Sequence, residues 1–222
     1  MKATPLSIAA LAAVVVSLVR AIFFTPLEAT QGAAQKILYI HAPAAWVAFL
    51  AFGLVAVASG LYLWIREPRL DRIAESSAEV GVIFTTVVLI TGPLWGRPVW
   101  GTYWTWDARL TLTLFLWFIY LGYMVLRGAL DDPGMRARYS AVLGILGALL
   151  IPFIHLSVYL FRTLHPQPIL MKTSAPSLPS EMLTTLLLAF ASFTLLYAAL
   201  LRARYRYAVE RDASIAVESG VA

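Results

Sequence analysis

The sequence predicts an all-α polytopic membrane protein with six transmembrane helices and both termini in the cytoplasm. Three observations predict it. Of 222 residues, 60% are hydrophobic and only 13% charged, where a soluble domain would carry roughly a quarter charged residues. Apolar segments of spanning length occur near 6–25, 41–65, 73–94, 109–128, 138–161 and 182–203, each matching the ~20 residues that cross a hydrocarbon core roughly 30 Å thick. Lysines and arginines cluster in alternate connections, as topology signals do. Backbone groups in lipid must be satisfied within their own segment, so the spans are helices. No internal repeat is evident, and residues 1–222 read as one integral-membrane domain.

Span 1 follows Met1-Lys2; Arg20 interrupts its far end and no small-x-small site follows, which reads as an uncleaved first span. An outward connection, 26–40, leads to span 2, which opens at His41. The return on the inner side, Arg66 to Arg72, is short and basic. Glu75 and Glu79 open span 3, where the helix macrodipole favours acids. After the outward connection 95–108, Asp107 suits the N-cap of span 4. Arg127 to Arg138 forms the second basic inner connection, and span 5 carries Pro152 and His155. The last outward connection, 162–181, is kept irregular by Pro166, Pro168, Pro176 and Pro179. Behind span 6 come Arg202, Arg204, Arg206 and Arg211. Together with Lys2, Arg66, Arg69, Arg72, Arg127, Arg136 and Arg138, eleven of the 17 Lys and Arg fall on one side. Arg20, Lys36, Arg97, Arg109, Arg162 and Lys172 fall on the other. The positive-inside rule therefore places the termini in the cytoplasm and the long, Pro- and Gly-rich connections outside.

The composition also excludes functions. With no cysteine there are no disulfides, thiolate metal sites or covalent haem attachment by a motif of this chain. The net charge of +5 and pI near 9.6 sit at the ends of apolar segments, which argues for topology and against nucleic acid. No nucleophile–base pair, phosphate loop or paired carboxylates appear, so the sequence does not read as a hydrolase or an ATPase.

The most distinctive stretch is Trp95 to Arg109. It holds four of the seven tryptophans, Trp95, Trp100, Trp104 and Trp106, with Tyr103 among them. Gly92, Pro93, Gly96, Pro98 and Gly101 are expected to break a helix there. Indoles concentrate at membrane interfaces, but a belt is spread over many helix ends, whereas these crowd into one connection. They read as a platform for something flat and apolar. Trp46, Trp64 and Trp117 are scattered and read as anchors or packing. All three histidines fall in the outer half. His41 and His165, from separate outer connections, offer imidazoles to a metal from opposite faces, or are interfacial polar residues. His155, inside a span, reads as an interhelical hydrogen-bonding residue. Arg97, Arg109 and Arg162 beside the aromatics suit either lipid phosphate or ligand carboxylates.

Residues 95–111, Trp-Gly-Arg-Pro-Val-Trp-Gly-Thr-Tyr-Trp-Thr-Trp-Asp-Ala-Arg-Leu-Thr, resemble the tryptophan-rich "WWD" signature of haem-handling membrane proteins. The similarity is greatest to the cytochrome c maturation protein C family, also called haem exporter protein C. Tyr39-Ile-His-Ala-Pro-Ala-Ala45 resembles that family's first histidine motif. Pro152 to Val158 and Arg162-Thr-Leu-His165 resemble its span-5 segment and second histidine motif. The resemblance covers roughly residues 30–200. Departures are Tyr103 where the family more often has Trp, Leu160-Phe161 in place of a Trp-richer pair, and Pro166 between His165 and Gln167.

The resemblance implies a non-enzymatic haem-delivery protein of the bacterial inner membrane. It would present non-covalent, transient haem b on the periplasmic face and pass it to a periplasmic haem chaperone of the cytochrome c maturation protein E type. His41 and His165 would be the axial iron ligands, with Trp95, Trp100, Tyr103, Trp104, Trp106 and Asp107 forming the haem platform and Arg97 or Arg109 meeting propionates. The implied partners are the two subunits of an ABC transporter (A and B type), a small membrane subunit (D type) and lipid, without nucleic acid. Two other functions are weighed against it. A b-type membrane cytochrome in electron transfer would hold haem between histidines buried in facing spans. A small-solute transporter would show broken helices and inverted repeats.

Overall fold

In the computed structural model, residues 4–167, 170 and 177–218 are described. Six helical segments are long and apolar enough to cross a membrane: Pro5–Phe24, Ala33–Ile65, Pro68–Trp100, Ala108–Ala129, Pro133–Leu160 and Ser180–Glu218. Lys2, Pro168, Lys172 and Pro176 lie outside the described residues.

Helix α1 (Pro5–Val19) starts on a Thr4 N-cap, whose hydroxyl accepts from the Ser7 N–H at 3.2 Å, with Pro5 pre-set for the first turn. Its last turn widens into a π-helical turn, Arg20–Phe24, whose loosened carbonyls are met by side chains. Lys36 donates to the carbonyl oxygens of Ala21 (2.7 Å) and Thr25, and the Thr25 hydroxyl donates to that of Arg20. Lys36, which the sequence offers only as an outward charge, thus closes the end of the first span.

A short 3-10 turn, Ala33–Ile37, leads into α2 (Leu38–Ile65). Helix α3 (Pro68–Trp100) is capped by Glu67 and runs unbroken through Gly92, Pro93, Gly96 and Pro98. This corrects the expected break and the predicted end of span 3 at residue 94. Proline kinks or ends helices in water, but in a membrane bundle neighbouring side chains and helices satisfy the freed carbonyls, so helix is retained. The helix stops only at Gly101, left-handed at φ 78°, as a C-terminal glycine does.

Asp107 caps α4 (Ala108–Ala129), accepting from the Leu110 N–H at 3.0 Å, as expected. Span 5 is two helices, α5 (Pro133–Ala148) and α6 (Leu150–Leu160). The join at Leu149 falls where the Pro152 ring would collide with the Ala148 carbonyl of a regular helix. Helix α7 (Ser180–Glu218) runs 39 residues, well beyond the predicted end of span 6.

Helix α2 lies at the centre, packed on α3, α5 and α7; α1 rests on α7, and α4 on α3, α5 and α6. Packing is close because small residues face bulky ones. A Cβ on Gly81 would stand 2.5 Å from the Phe52 ring, and one on Gly147 2.9 Å from Tyr120. Phe52 and Tyr120 in turn stack at 3.7 Å between centroids. The outward faces of α1 carry exposed Leu11, Val15 and Val16, suited to lipid.

At one end of the bundle α3, α4 and α7 are joined by ion pairs. Arg127 grips Asp71 through both terminal nitrogens (2.6 and 2.9 Å) and reaches Glu75 at 3.1 Å; Glu75 also accepts from Arg211 at 2.7 Å. Arg72 pairs with Asp212, and Arg204 with Glu79. Glu75 is buried, two turns into α3. The macrodipole reading of Glu75 and Glu79 is therefore replaced by a cross-helix one; the first-turn acid is Asp71.

Candidate ligand-binding cleft

At the opposite end, α2, α3, α4 and α6 diverge around an open cleft. His41, Trp95, Trp100, Trp104, Arg109 and His165 all line it. Its deeper wall is aliphatic and aromatic, with Ala48, Phe49, Val88, Leu116 and Ile154.

His41 enters from the first turn of α2. Its Nδ1 lies 2.9 Å from the Thr91 hydroxyl of α3, and the edge of its ring meets Trp95 at 5.9 Å between centroids. Trp95 is itself fixed on α3, its indole N–H donating to Gln31 Oε1 at 2.9 Å. Trp100 ends the same helix, and its ring lies 6.3 Å from that of His165. A Cβ on Gly96 would stand 3.0 Å from the Trp100 ring, and one on Gly92 3.3 Å from His41 Cε1. The two glycines are what let these rings lie against the helix.

His165 sits on the connection after α6, held by a chain of hydrogen bonds. Asp107 Oδ2 accepts from the Thr163 hydroxyl at 3.0 Å, and Thr163 Oγ1 accepts from the His165 N–H at 3.0 Å. The N-cap of α4 thus also anchors the histidine loop. His165 Nδ1 lies 2.9 Å from the Pro166 carbonyl. A carbonyl only accepts, so Nδ1 carries the proton and Nε2 keeps its lone pair. Burial and the nearby Arg109 guanidinium push this imidazole down to about 4. It is neutral at physiological pH, the form that binds metals.

Among the described residues, two buried donors in the cleft have no hydrogen-bond partner, Trp104 Nε1 and Arg109 Nη1. An unsatisfied buried donor is costly and marks a place where a ligand acceptor belongs. Arg109 makes no ion pair with Asp107 among the described residues. The other predicted site residues lie outside the lining. Tyr103 is 59% and Trp106 76% exposed. Arg97 lies over the Tyr103 ring at 5.6 Å and donates to the Gly101 carbonyl. Asp107 acts through its hydrogen bonds, and Arg162 is exposed. His155 meets Tyr159 on α6 and does not line the cleft.

Among the described residues no three His, Cys, Asp or Glu side chains converge. The cleft offers a metal two imidazole nitrogens, so further ligands must arrive with the metal. Flat indole walls, two imidazoles and an unpaired guanidinium fit a planar, metal-bearing, anionic ligand.

The sequence profile of heme exporter protein C matches residues 2–218. The chain belongs to the heme exporter protein C family. It is 44% identical over 187 residues to heme exporter protein C of Bradyrhizobium diazoefficiens, covering 84% of this chain and 71% of that one. Against heme exporter protein C of Haemophilus influenzae it is 39% identical over 193 residues (86% and 78% covered). Against that of Rhodobacter capsulatus it is 36% identical over 190 residues (85% and 78%).

In this member of the heme exporter protein C family, sequence reasoning missed Gln31 and Thr91. Thr91 lies one turn from Trp95, four residues apart and so on one helix face, a spacing that could have singled it out. Gln31 carries no such signal: it reaches the cleft from an irregular connection.

Proposed function

We propose that this protein holds haem in the outward cleft during cytochrome c maturation, between His41 and His165, and releases it to a periplasmic haem chaperone. The observation that carries the reading is the convergence of these two histidines, from α2 and from the connection after α6, on one tryptophan-walled cleft. The ring lies against Trp95, Trp100 and Trp104; the unpartnered Arg109 and Trp104 nitrogens meet propionate oxygens; the aliphatic floor takes the apolar porphyrin edge. Tyr103, Trp106 and Arg97, exposed at the cleft's rim, cover the ring as it enters or leaves, and Asp107 holds the His165 loop. Haem b binds without covalent attachment, because the chain has no cysteine to bond its vinyl groups.

The basic ion-paired end faces the cytoplasm of a bacterial inner membrane and the cleft faces the periplasm, following the Lys and Arg distribution. The ABC transporter subunits and small membrane subunit named above complete the proposed assembly. Delivery needs tight loading and ready release. His41 stands on a packed helix and His165 on a connection, so release begins at His165.

The test is the visible spectrum of the detergent-purified protein titrated with hemin. The wild type should give a low-spin signal, His41→Ala or His165→Ala a high-spin one, and the double variant neither. A wild-type low-spin signal in the double variant would show the ligand assignment to be wrong.

A further inference from the structure

The ring of His41 is held from behind by Thr91. A threonine hydroxyl has one proton, and the Thr91 Oγ1 sends it to the Val87 carbonyl at 2.7 Å, with Val88 O more distant at 3.5 Å. Towards His41 Nδ1, 2.9 Å away, it therefore offers only a lone pair. Nδ1 must then be the donor, and the neutral ring keeps its lone pair on Nε2. Among the described residues no hydrogen bond reaches Nε2. The ring is also confined sideways, with Gly92 against Cε1 and the Trp95 indole against its edge. Both flanking residues stand on α3, beside Thr91.

We propose that Thr91 is the positioning residue of the His41 iron ligand, fixing through its back-bonded hydroxyl the tautomer that turns Nε2 to the cleft. This rests on the reading of His41 as a ligand. His165 reaches the same tautomer differently, through the carbonyl of its own neighbour, Pro166. The His41 arrangement spans two packed helices, so it stays set when the cleft is empty. Threonine is suited to the role because its hydroxyl can donate to the preceding helical turn and accept from the imidazole at once. Valine has the same shape and neither capacity. A partner of this kind behind a metal-bound histidine typically contributes 10–100-fold to affinity.

Two measurements test it. In protein free of haem and labelled with ¹⁵N-histidine, nitrogen NMR should find His41 as the Nδ1–H tautomer. Only three histidines exist, so His155→Gln and His165→Gln variants assign the signals. Hemin titration of Thr91→Val should show affinity weakened about 10–100-fold and a high-spin fraction in the spectrum, while Thr91→Ser, which keeps the hydroxyl, stays close to wild type. An Nε2–H tautomer for His41 overturns the proposal even if Thr91→Val fails to fold. So does a Thr91→Val protein with wild-type affinity and spectrum, in which case the loss of signal in His41→Ala still supports the ligand reading. If His41→Ala binds hemin as wild type does, the ligand reading itself falls.

Discussion

In the proposed site a histidine ligand must be neutral, and His165 meets that condition in the empty cleft. Burial and Arg109 depress its imidazole to about 4, against an ordinary value of about 6.5. The folded group therefore stays unprotonated while the unfolded one takes up a proton. Its contribution to stability is complete above about 6.5 and is lost as pH falls from there towards 4. Ligation follows the folded value. In a His41→Ala variant, where His165 is the remaining histidine of the cleft, hemin affinity should hold between pH 7.5 and 5.5. An imidazole of ordinary pKa would lose about tenfold over that interval. Hemin titrations at the two pH values, read against a non-histidine ligand control, check this.

The helix termini do two jobs each. Asp107 caps α4 through one oxygen and holds Thr163, and through it the His165 backbone, with the other. Asp107→Ala should lower stability by about 1 kcal/mol, the usual cost of a lost N-cap, and weaken hemin binding as the loop loosens. Asp107→Asn keeps a capping acceptor and should recover most of both; thermal unfolding and hemin titration in detergent measure the two effects. At the other end, Arg127 lies between Asp71 and Glu75 with 5% of its side chain exposed. Arg127→Met leaves Asp71 without its partner, while Glu75 keeps Arg211, and should cost about 3–5 kcal/mol. It should leave hemin affinity near wild type in the protein that still folds, because the ion pairs lie across the bundle from the cleft. Thermal unfolding followed by circular dichroism gives the first number and hemin titration the second.

Six helices follow directly from six apolar stretches, because hydrocarbon leaves the backbone no other choice. The ends of those helices were less legible. Pro93 and Pro98 mark a break in water, and α3 runs through both; α7 continues past the apolar stretch because Arg204 and Arg211 pair with Glu79 and Glu75 of α3. Residue types alone single out His41, His165 and the tryptophans, but not which indoles turn inward. That depends on the backbone path: Trp95 and Trp100 face the cleft from α3, and beyond the glycine stop Trp104 lines it while Trp106 is exposed. Gln31 stayed hidden because its partner Trp95 is 64 residues away, and Thr91 is marked only by its one-turn spacing from Trp95. The orientation in the membrane is open to a direct check, helped by the lack of native cysteine. A membrane-impermeant thiol reagent applied to intact spheroplasts should label Trp106→Cys and not Arg69→Cys, which should react only after permeabilisation.

The molecule is built as a bundle pinned by charges at one end and splayed around a ligand cleft at the other. The claim on which this depends is that iron sits between two imidazoles in that cleft. An experimental structure of the haem-loaded protein in lipid nanodiscs measures it most directly. The account predicts iron bonded to Nε2 of both His41 and His165, with the porphyrin edge against Trp95, Trp100 and Trp104. Haem bound at His155, or on the outer surface with His41 Nε2 left free, would contradict it.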